Sequence, residues 1–429
     1  MALGTQRGAV GLLKSRHPEV SMRMAVFHPA FELVRGAEIL AATQAGFYRG
    51  QGVALDLVTL GYDPGRWASR LDGIPVRKVQ KRHWTDLFLG NGQVGKLRVR
   101  GNRAADVLKD YDLVVAHNFP ANAMLGAARI QARKIWQCNE PPRSLHWRDA
   151  NPYLASRPPM SPGVEIPDAL QAFTRDLVSY DRAMVAKTSP WGRRTYDLES
   201  AKGLDLIYGI SEFSRDNARR IYGRCRDEVI YPLVRFPEGG WRRSGLNRLV
   251  RRVLVHSRLE ALKNIDTVIR GFHRFRGSSP VPCELHIVGE GPWRARLESL
   301  ALSLCPDGEV KFHGYLPEAE LRGVYEACDV FALLPVDEPF GMVFPEAAAK
   351  GLLLVGSDHG GPMEILDGGR LGWTIDAFSP EALCEVLQRI WSSGDAEIDQ
   401  RREAADRACL SRFSLSAIGP QLMELLRAV

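Results

Sequence analysis

Two glutamates eight residues apart, Glu338 and Glu346, lie in the stretch VDEPFGMVFPEAAAKG, which also contains an aromatic–glycine pair. A carboxylate can accept hydrogen bonds from both hydroxyls of a ribose, so an acid here suits a sugar-bearing ligand. The following segment, GSDHGGP, places Gly360 and Gly361 near the start of a predicted helix. Free N–H groups at a helix start favour an anion, and glycine lets the backbone approach it closely. The stretch therefore predicts a ligand that has both hydroxyls and phosphate.

Two basic residues are expected at the same edge of the protein. Arg258 follows the predicted strand RVLVHS, and Lys263 closes the loop after it. A guanidinium and an ammonium there would neutralise a diphosphate, including the charge that develops on it as a leaving group. A nucleoside diphosphate joined to a further hydroxyl-rich group is a sugar nucleotide, and this is the ligand that the pattern predicts.

The elements that must position these residues are short apolar strands that alternate with helices. They include MAVFH, VALDLVTL, DLVVAH, KIWQCN and DLIYGIS in the first half, and RVLVHS, CELHIVG, VKFHG, VFALLP and LLLV in the second. Such alternation is typical of parallel sheets covered on both faces. We therefore predict the α/β class, with two doubly wound Rossmann-like domains facing across a cleft. Ligands of such sheets lie beyond the carboxyl ends of the strands.

One helix illustrates the periodicity on which these assignments rest. In NIDTVIRGFHRF the apolar residues Ile265, Val268, Ile269 and Phe272 fall on one helical face, which predicts a buried side. Asn264, just before them, is a suitable N-cap.

The domain limits follow from composition. Residues 1–22 are expected to be a lead-in without regular structure, with Met22 and Met24 as alternative start sites, because the segment lacks the apolar core of a signal peptide. Residues 23–232 form the predicted N-terminal domain. The Pro-, Gly- and Arg-rich residues 233–250 are the predicted linker, followed by a C-terminal domain over 251–412 and a last helix over 413–429.

The bulk composition is that of a globular protein with a mild basic excess. The 429 residues carry a formal net charge of +7, which suits phosphate-bearing ligands, anionic membranes or nucleic acid without choosing among them. Seven scattered cysteines without a C-x-x-C pair predict reduced thiols in a cytoplasmic protein. No apolar run approaches the ~20 residues of a membrane-spanning helix.

A basic stretch in the N-terminal half adds a possible membrane contact. It has ten Lys or Arg residues against two acids, Asp72 and Asp86, with Trp67, Trp84, Leu87 and Phe88 among them. The cations are Arg66, Arg70, Arg77, Lys78, Lys81, Arg82, Lys96, Arg98, Arg100 and Arg103. Cations with exposed aromatics suit an anionic bilayer surface. The alternatives are a solvated basic loop region and, with no recognised motif, a nucleic-acid contact.

Several motifs, in this order, resemble one known family. SRLEALKN, LHIVGEGPWRARLE, VKFHGYL and EPFGMVFPEAAAKG are similar to the C-terminal domain of the retaining family 4 glycosyltransferases (glycosyl transferases group 1), which have the GT-B fold. GAEIL, DYDLVVAHN, QCNEPPR and GISEFSRDNARRIYG are similar to the N-terminal domain. The resemblance covers residues 24–415. It implies that the N-terminal domain binds the acceptor and that the last helix crosses back onto it.

The resemblance implies roles for residues that match the family's donor site. Arg258 and Lys263 match contacts to the donor diphosphate, and Glu346 matches a contact to the ribose. The backbone around Tyr315 and Leu316 matches the segment that contacts the base.

Further residues match the part of the site around the transferred sugar. Glu338 and the backbone of Phe340 and Gly341 match its contacts. Gly36 matches a glycine near the phosphates, and His117 matches a histidine that faces the sugar from the other domain. The resemblance thus implies Glu338, His117, Arg258 and Lys263 as the catalytic set.

The family uses no metal, so none is expected here, and no cofactor beyond the nucleotide-sugar donor. A D-x-D pattern occurs as Asp110–Tyr111–Asp112, but it is predicted at the amino edge of the sheet, away from the cleft. Two positions depart from the family. Arg35 replaces a glycine before Gly36, and Asn139 stands where relatives often have histidine, which bears on the acceptor.

The sequence thus predicts a retaining, metal-independent hexosyltransferase. Its donor is expected to be a nucleotide sugar, GDP-mannose in preference to a UDP-hexose, and its acceptor lipid-linked, polysaccharide or glycolipid. The expected location is the cytoplasm, on the cytoplasmic membrane face if the basic stretch binds lipid. One alternative is another GT-B enzyme, such as a sugar-nucleotide epimerase, which needs no acceptor. The other is a non-catalytic membrane- or nucleic-acid-binding protein.

Overall fold

The computed structural model describes residues 22–79, 93–156, 192–236 and 245–427. The predicted lead-in, except Met22, lies outside these ranges. So do Lys81, Arg82, Trp84, Asp86, Leu87 and Phe88 of the basic stretch, and part of the predicted linker.

The N-terminal half forms a six-stranded parallel sheet. Its order is β3-β2-β1-β4-β5-β6. The strands are β1 (Arg23–Phe31), β2 (Ala54–Tyr62), β3 (Val76–Lys78), β4 (Leu113–His117), β5 (Arg133–Cys138) and β6 (Leu206–Gly209). The described helices are α1 (Gly36–Gly50), α2 (Pro64–Leu71), α3 (Gln93–Leu108), α4 (Ala121–Ala127), α5 (Trp147–Ala150), α6 (Pro152–Ser156), α7 (Arg193–Ala201) and α8 (Glu212–Tyr222).

The C-terminal half repeats the architecture. Its six parallel strands run in the order β12-β11-β10-β7-β8-β9. They are β7 (Arg251–His256), β8 (Cys283–Val288), β9 (Val310–Gly314), β10 (Val330–Ala332), β11 (Leu353–Ser357) and β12 (Trp373–Ile375). The helices are α9 (Ile265–Gly277), α10 (Arg294–Leu304), α11 (Glu318–Ala327), α12 (Val343–Ala349), α13 (Gly360–Ile365), α14 (Pro380–Ser392), α15 (Asp395–Phe413) and α16 (Leu415–Arg427).

The central strands are buried on both faces, which explains their uninterrupted apolar sequence. Met24, Ala25, Val26 and Phe27 of β1 are fully buried. The alternate residues Met24 and Val26 belong to one apolar cluster, and Ala25 and Phe27 belong to another on the opposite face. This arrangement confirms the predicted pair of doubly wound α/β sheets.

The carboxyl ends of the two sheets face each other. The loop after β10 contacts α6, which follows β5, and it also contacts Ser211, which follows β6. Between Tyr222 and Arg251 the described residues contain no helix or strand.

The last helix, α16, packs on the N-terminal domain although it follows the C-terminal one. Ile418, Leu422, Leu425 and Leu426 belong to the same buried cluster as β1 and β2. The second domain is therefore attached to the first by α16 as well as by the chain between β6 and β7.

Some local predictions differ from the structure. The periodic face of α9 is buried as predicted, but the Asn264 side chain caps no backbone N–H. It donates instead to the carbonyl oxygens of Leu334 and Ala377, at 3.0 and 2.5 Å. Helix α12 begins at Val343, and Glu346 lies in its first turn.

None of the helices in the described ranges is long and apolar enough to cross a membrane. All seven cysteines are free thiols, five of them buried.

Candidate active site

Lys263 and Glu338 meet at the carboxyl edge of the C-terminal sheet. Lys263 ends a short 3-10 turn after β7, and Glu338 lies in the loop after β10. These strands are neighbours in the sheet, so the two loops lie side by side. The Lys263 Nζ lies 2.6 Å from Glu338 Oε2, and both side chains are largely buried. The structure thus brings together one predicted cation and one predicted acid.

Arg258 lies two residues beyond β7, on the side that faces the N-terminal domain. Its Nε is 2.6 Å from Glu260 Oε1, and 35% of its side chain is exposed. Its charge also acts on Glu38 of α1, in the other domain. Arg258 is therefore at the cleft, where a ligand can reach it.

Glu346 is separated from Glu338 by the start of α12. Burial raises the pKa of Glu346 to about 7, the charge of Lys350 opposes this shift, and that of Glu318 adds to it. Glu318 begins α11, two residues after Leu316. Glu346 therefore lies toward the segment predicted to contact the base, and Glu338 lies toward Lys263.

The remaining predicted donor residues flank these groups. Tyr315 is 68% exposed, Leu316 is partly buried, and Phe340 is buried against Phe413. Gly341 has φ 95°, which a side chain rarely adopts. A Cβ there would also lie 2.9 Å from Phe344 Cδ2, so both the backbone and the packing require glycine, and the contact of Gly341 with the sugar stays a prediction.

The two glycines of α13 have a different use from the predicted one. A Cβ on Gly361 would lie 2.2 Å from Phe340 Cα, and one on Gly360 would lie 2.7 Å from Glu338 O. The Gly361 N–H already donates to Glu338 O at 2.8 Å. The expectation that both glycines approach a phosphate is thus wrong for Gly361, because the pair instead lets the Glu338 loop pack closely on α13.

His117 ends β4 of the N-terminal domain and is 1% exposed. Neither ring nitrogen has a hydrogen-bond partner among the described residues. Burial and, to a smaller extent, the charge of nearby His28, whose ring centroid is 6.2 Å away, lower the pKa of His117 to about 3. His117 is therefore a neutral imidazole at a strand end, and both of its buried nitrogens lack a partner among the described residues.

Gly36 begins α1, and a Cβ there would meet no atom within 4 Å. In the same turn, Glu38 is buried and its Oε2 has no partner among the described residues. Burial raises the pKa of Glu38, while the charges of Arg35 and Arg258 lower it. Arg35, which departs from the family pattern, therefore adds a positive charge beside Gly36.

Asn139, the other departure, has a structural role in the N-terminal domain. Its Nδ2 donates to Asn118 Oδ1 at 3.0 Å, and its Oδ1 accepts from Gln137 at 3.1 Å. Asn118 follows His117 and has φ 54°. Asn139 therefore helps to hold the unusual backbone directly after the candidate histidine.

Sequence reasoning missed three residues that join the domains beside Glu338. Arg143 donates to Asp337 O, the Asp337 carboxylate binds backbone N–H groups of α6, and Ser211 donates to Pro339 O. Arg143 and Ser211 lie within the motifs QCNEPPR and GISEFSRDNARRIYG, and Asp337 precedes Glu338. The polar type of each residue is visible in the sequence. The groups that they bind, however, lie 128 to 194 residues away along the chain, so a local sequence pattern cannot predict these contacts.

The D-x-D pattern lies at the amino edge of the N-terminal sheet, as predicted. Asp112 Oδ2 accepts from the N–H of Arg23 at the start of β1, at 2.8 Å. Within the described ranges, no three His, Cys, Asp or Glu side chains are grouped so that they could hold a metal ion.

The described part of the basic stretch differs from the expectation in one respect. Trp67 is fully buried and packs edge-on against Phe31, with ring centroids 5.0 Å apart, so it is not an exposed aromatic. The residue faces inward because it lies on the buried side of α2. Arg77 and Lys78 of β3 are exposed, and Arg77 pairs with Asp56 at 2.7 Å.

Residues 243–408 match the family model described as glycosyl transferases group 1. The chain is 26% identical over 280 residues to a D-inositol 3-phosphate glycosyltransferase of Corynebacterium kroppenstedtii, covering 61% of each protein. It is 32% identical over 187 residues to a GDP-mannose-dependent α-(1-6)-phosphatidylinositol monomannoside mannosyltransferase of Mycolicibacterium smegmatis, covering 41% of this chain and 47% of the relative. The chain thus matches less than two thirds of the length of these curated relatives.

Solved structures match over nearly the whole chain. Anabaena HepE in complex with UDP and glucose aligns with a TM-score of 0.68 at 18% identity, over 95% of this chain and all of that one. WaaG, a glycosyltransferase involved in lipopolysaccharide biosynthesis, aligns with a TM-score of 0.62 at 14% identity, over 93% and 98%. At these identities the likeness establishes the fold, which is GT-B.

Proposed function

We propose that this chain, whose residues 243–408 match the model of the glycosyl transferases group 1, transfers a hexose from a nucleotide sugar to an acceptor hydroxyl. The proposed transfer retains the anomeric configuration and needs no metal ion. The observation that carries the proposal is the Lys263–Glu338 pair, 2.6 Å apart at the carboxyl edge of the C-terminal sheet. Such a pair supplies one cation for a diphosphate and one acid for sugar hydroxyls.

In the proposed donor site, each part of the nucleotide sugar is bound by different residues. Arg258 and Lys263 bind the diphosphate, and Glu346 accepts from the ribose hydroxyls. The backbone at Tyr315 and Leu316 contacts the base. The exposure of Tyr315 and the position of Glu346 toward α11 support this order along the site.

The sugar lies on the other side of the diphosphate in this proposal. Glu338 and the backbone of Phe340 and Gly341 bind its hydroxyls, while Gly36 leaves room for the phosphates at the start of α1. His117 faces the sugar from the N-terminal domain. Its burial and its two unpartnered nitrogens support this role, because a buried polar group without a partner is costly unless a ligand satisfies it.

In the proposed reaction, the bond between the anomeric carbon and the diphosphate oxygen breaks, and its electron pair leaves with the diphosphate. The acceptor oxygen attacks the same face of an oxocarbenium-like sugar, and the acceptor proton passes to the departing diphosphate. Arg258 and Lys263 stabilise the negative charge that develops there. No side chain forms a covalent intermediate, so catalysis comes from positioning and electrostatics.

We favour GDP-mannose over a UDP-hexose as the donor, and a lipid-linked, polysaccharide or glycolipid acceptor. The name of the Mycolicibacterium smegmatis relative includes both GDP-mannose and a phosphatidylinositol mannoside, which supports this choice. The complexes of HepE with UDP keep a UDP-hexose as the alternative.

We also propose that the protein works at the cytoplasmic membrane face. The exposed cations Arg77 and Lys78 on β3 support contact with anionic lipid. Liposome co-sedimentation tests it. Binding should require anionic lipid, weaken with salt and fall when Arg77, Lys78, Lys81 and Arg82 become glutamate. Equal recovery with neutral and anionic liposomes would contradict it.

The stereochemistry and metal requirement can be tested together. The protein is incubated with GDP-mannose or UDP-hexoses, an acceptor extract and excess EDTA, and the new linkage is assigned by NMR coupling constants. We expect transfer in EDTA with the donor's anomeric configuration in the product. An inverted product, or transfer that returns only on adding a divalent cation, would contradict this part of the proposal.

A further inference from the structure

The residues on both sides of Glu338 are held by the other domain. On one side, Arg143 Nη2 donates to the carbonyl oxygen of Asp337 at 2.5 Å. On the other, Ser211 Oγ donates to the carbonyl oxygen of Pro339, also at 2.5 Å. The main chain that carries the Glu338 side chain is therefore fixed from the N-terminal domain at the preceding and the following residue.

Every polar group of Asp337 takes part in a hydrogen bond. It is fully buried, and its Oδ1 and Oδ2 accept from the N–H groups of Tyr153 and Leu154, each at 3.0 Å. Its own N–H donates to His359 Nε2 at 3.2 Å. The His359 ring stacks on the Tyr153 ring, with centroids 3.4 Å apart. Together, these hydrogen bonds and the ring contact hold the Asp337 loop in one position.

Arg143 uses all parts of its guanidinium at this junction. Besides Asp337 O, it donates from Nε to Glu140 Oε2 at 2.6 Å and from Nη1 to Asn151 Oδ1 at 2.5 Å. Only 13% of the side chain is exposed. A lysine carries the same charge but lacks the planar fork, so it cannot make these three contacts together.

The C-terminal domain alone holds Glu338 by fewer contacts. Gly361 N–H donates to the Glu338 carbonyl, and Lys263 binds the carboxylate. Neither contact fixes the backbone on both sides of the residue. The Asp337 N–H is held within the same domain by His359, whereas the carbonyl oxygens of Asp337 and Pro339 accept from Arg143 and Ser211 of the N-terminal domain.

We propose that Arg143, Asp337 and Ser211, which we call the interdomain clamp, are positioning residues that place the Glu338 carboxylate for the donor sugar. The inference rests on the proposed function, and it adds that the sugar part of the donor is recognised only in the closed protein. The side chains assigned to the diphosphate and the ribose, Arg258, Lys263 and Glu346, belong to the C-terminal domain and do not need the clamp. Domain closure thus couples the acceptor-binding domain to recognition of the donor sugar. Transfer begins only when the donor-binding and acceptor-binding domains have closed on each other.

Two conservative variants test the clamp. Arg143→Lys keeps the charge and loses the fork. Asp337→Asn keeps the shape of the side chain, and asparagine tolerates the φ of 51° found at this position. One of the two carboxylate acceptors is then replaced by an amide NH₂, which cannot accept from the backbone N–H that it faces. Arg402→Lys is the matched control. Arg402 is also a buried arginine that binds a carbonyl oxygen, Gly245 O, but it lies at the amino edge of the C-terminal sheet.

The measurements are calorimetric affinity for GDP and for GDP-mannose, and kcat and KM for transfer. In both clamp variants, GDP affinity should stay within about twofold of wild type, while kcat falls at least about tenfold, since a misplacement of about 1 Å can cost about a hundredfold. The ratio of GDP-mannose to GDP affinity should fall as well. Arg402→Lys should change neither the ratio nor kcat. If UDP-hexose is the donor, UDP and that donor replace the guanine ligands.

The outcomes separate the clamp from the function. Wild-type protein that transfers no nucleotide sugar overturns the proposed function. Wild-type transfer, with both clamp variants at wild-type kcat, overturns the clamp alone. Equal loss of GDP and GDP-mannose affinity also overturns it, because the variants would then have disturbed the whole site. If Arg143→Lys does not fold, Asp337→Asn decides, with Ser211→Thr expected to keep activity and Ser211→Ala to lower it.

Discussion

At the scale of single residues, the short Lys263–Glu338 contact joins the group assigned to the donor diphosphate and the group assigned to the donor sugar. One ammonium lies 2.6 Å from the acid that is assigned to the sugar, in a largely buried position. Because a charge-assisted hydrogen bond is strong in such surroundings, Lys263 can orient Glu338 and bind the diphosphate at the same time. Arg258 has no such double role, since its close partner is the exposed Glu260.

Removing either cation should weaken nucleotide binding. For Lys263→Ala and Arg258→Ala we expect a loss of about 1.5–3 kcal/mol in nucleoside-diphosphate affinity, because each removes a charge-assisted contact. Calorimetry measures it. Lys311→Ala is the control, because this lysine lies on β9, the edge strand of the same sheet, and pairs with Glu284 of β8. Wild-type affinity and turnover in both site variants would refute the assignment of the diphosphate site.

Glu346 should make donor binding depend on pH. Burial raises its pKa to about 7, so in the free protein a proton occupies it increasingly below that pH. Ribose hydroxyls donate to the ionised carboxylate, so the proton competes with the ligand. Donor affinity should therefore fall about tenfold from about pH 8 to about pH 6.

The intact nucleotide sugar is the suitable ligand for this titration, because the terminal phosphate of a free diphosphate itself titrates near ~6. Glu346→Gln should bind more weakly and show no such slope. Wild-type and variant slopes that coincide would show that Glu346 does not bind the ribose.

His117 should affect transfer and not nucleotide binding. It is assigned to the sugar from the opposite domain, so His117→Ala should lower turnover while the affinity for the free nucleotide remains unchanged. His256→Asn is the control, since that histidine is half-buried and also has a lowered pKa, about 4, but is bonded to Tyr325. Turnover equal to wild type in His117→Ala would make this histidine a structural one.

At the scale of elements, the sequence predicted most of the helices and strands that position these groups. Buried parallel strands leave a strong local pattern, and β4 ends at His117 as predicted. The roles of Gly361 and Asn264 were predicted wrongly, because both depend on what another loop places against them. The contacts of Arg143 and Ser211 could not be predicted for the same reason.

Helix α8 shows how an element can be completed by the other domain. Glu364 of α13 accepts from the N–H groups of Glu212 and Phe213 at the start of α8, each at 2.9 Å. These N–H groups have no partner within their own helix. Glu364 therefore caps α8 across the cleft.

Replacing this cap should expose the first turn of α8. In Glu364→Gln, one amide loses its acceptor, so hydrogen exchange in the peptide around Glu212 and Phe213 should become faster. Mass spectrometry of the exchanged peptides measures it. Glu381→Gln, which removes an exposed ion pair with Arg274, should leave that peptide unchanged. Unchanged exchange in Glu364→Gln would mean that the domains do not hold this contact in solution.

At the scale of the whole molecule, two similar sheets are joined so that their carboxyl edges face each other. The contacts across the cleft concentrate on the Glu338 loop and on α13, and α16 returns to the first domain. The architecture was predictable because each sheet follows from its own pattern. The docking of the two domains was not, since it rests on side chains paired across more than a hundred residues.

The central claim is that this cleft transfers a sugar from a nucleotide donor, and a transfer assay tests it most directly. Radiolabelled GDP-mannose and UDP-hexoses are incubated with wild-type protein and Lys263→Ala, each with and without a lipid-linked acceptor extract. We expect label in the acceptor fraction and release of nucleoside diphosphate from one donor only, dependent on acceptor and strongly reduced in Lys263→Ala. Conversion of the donor to another nucleotide sugar without acceptor, or no transfer from any donor, would contradict the claim.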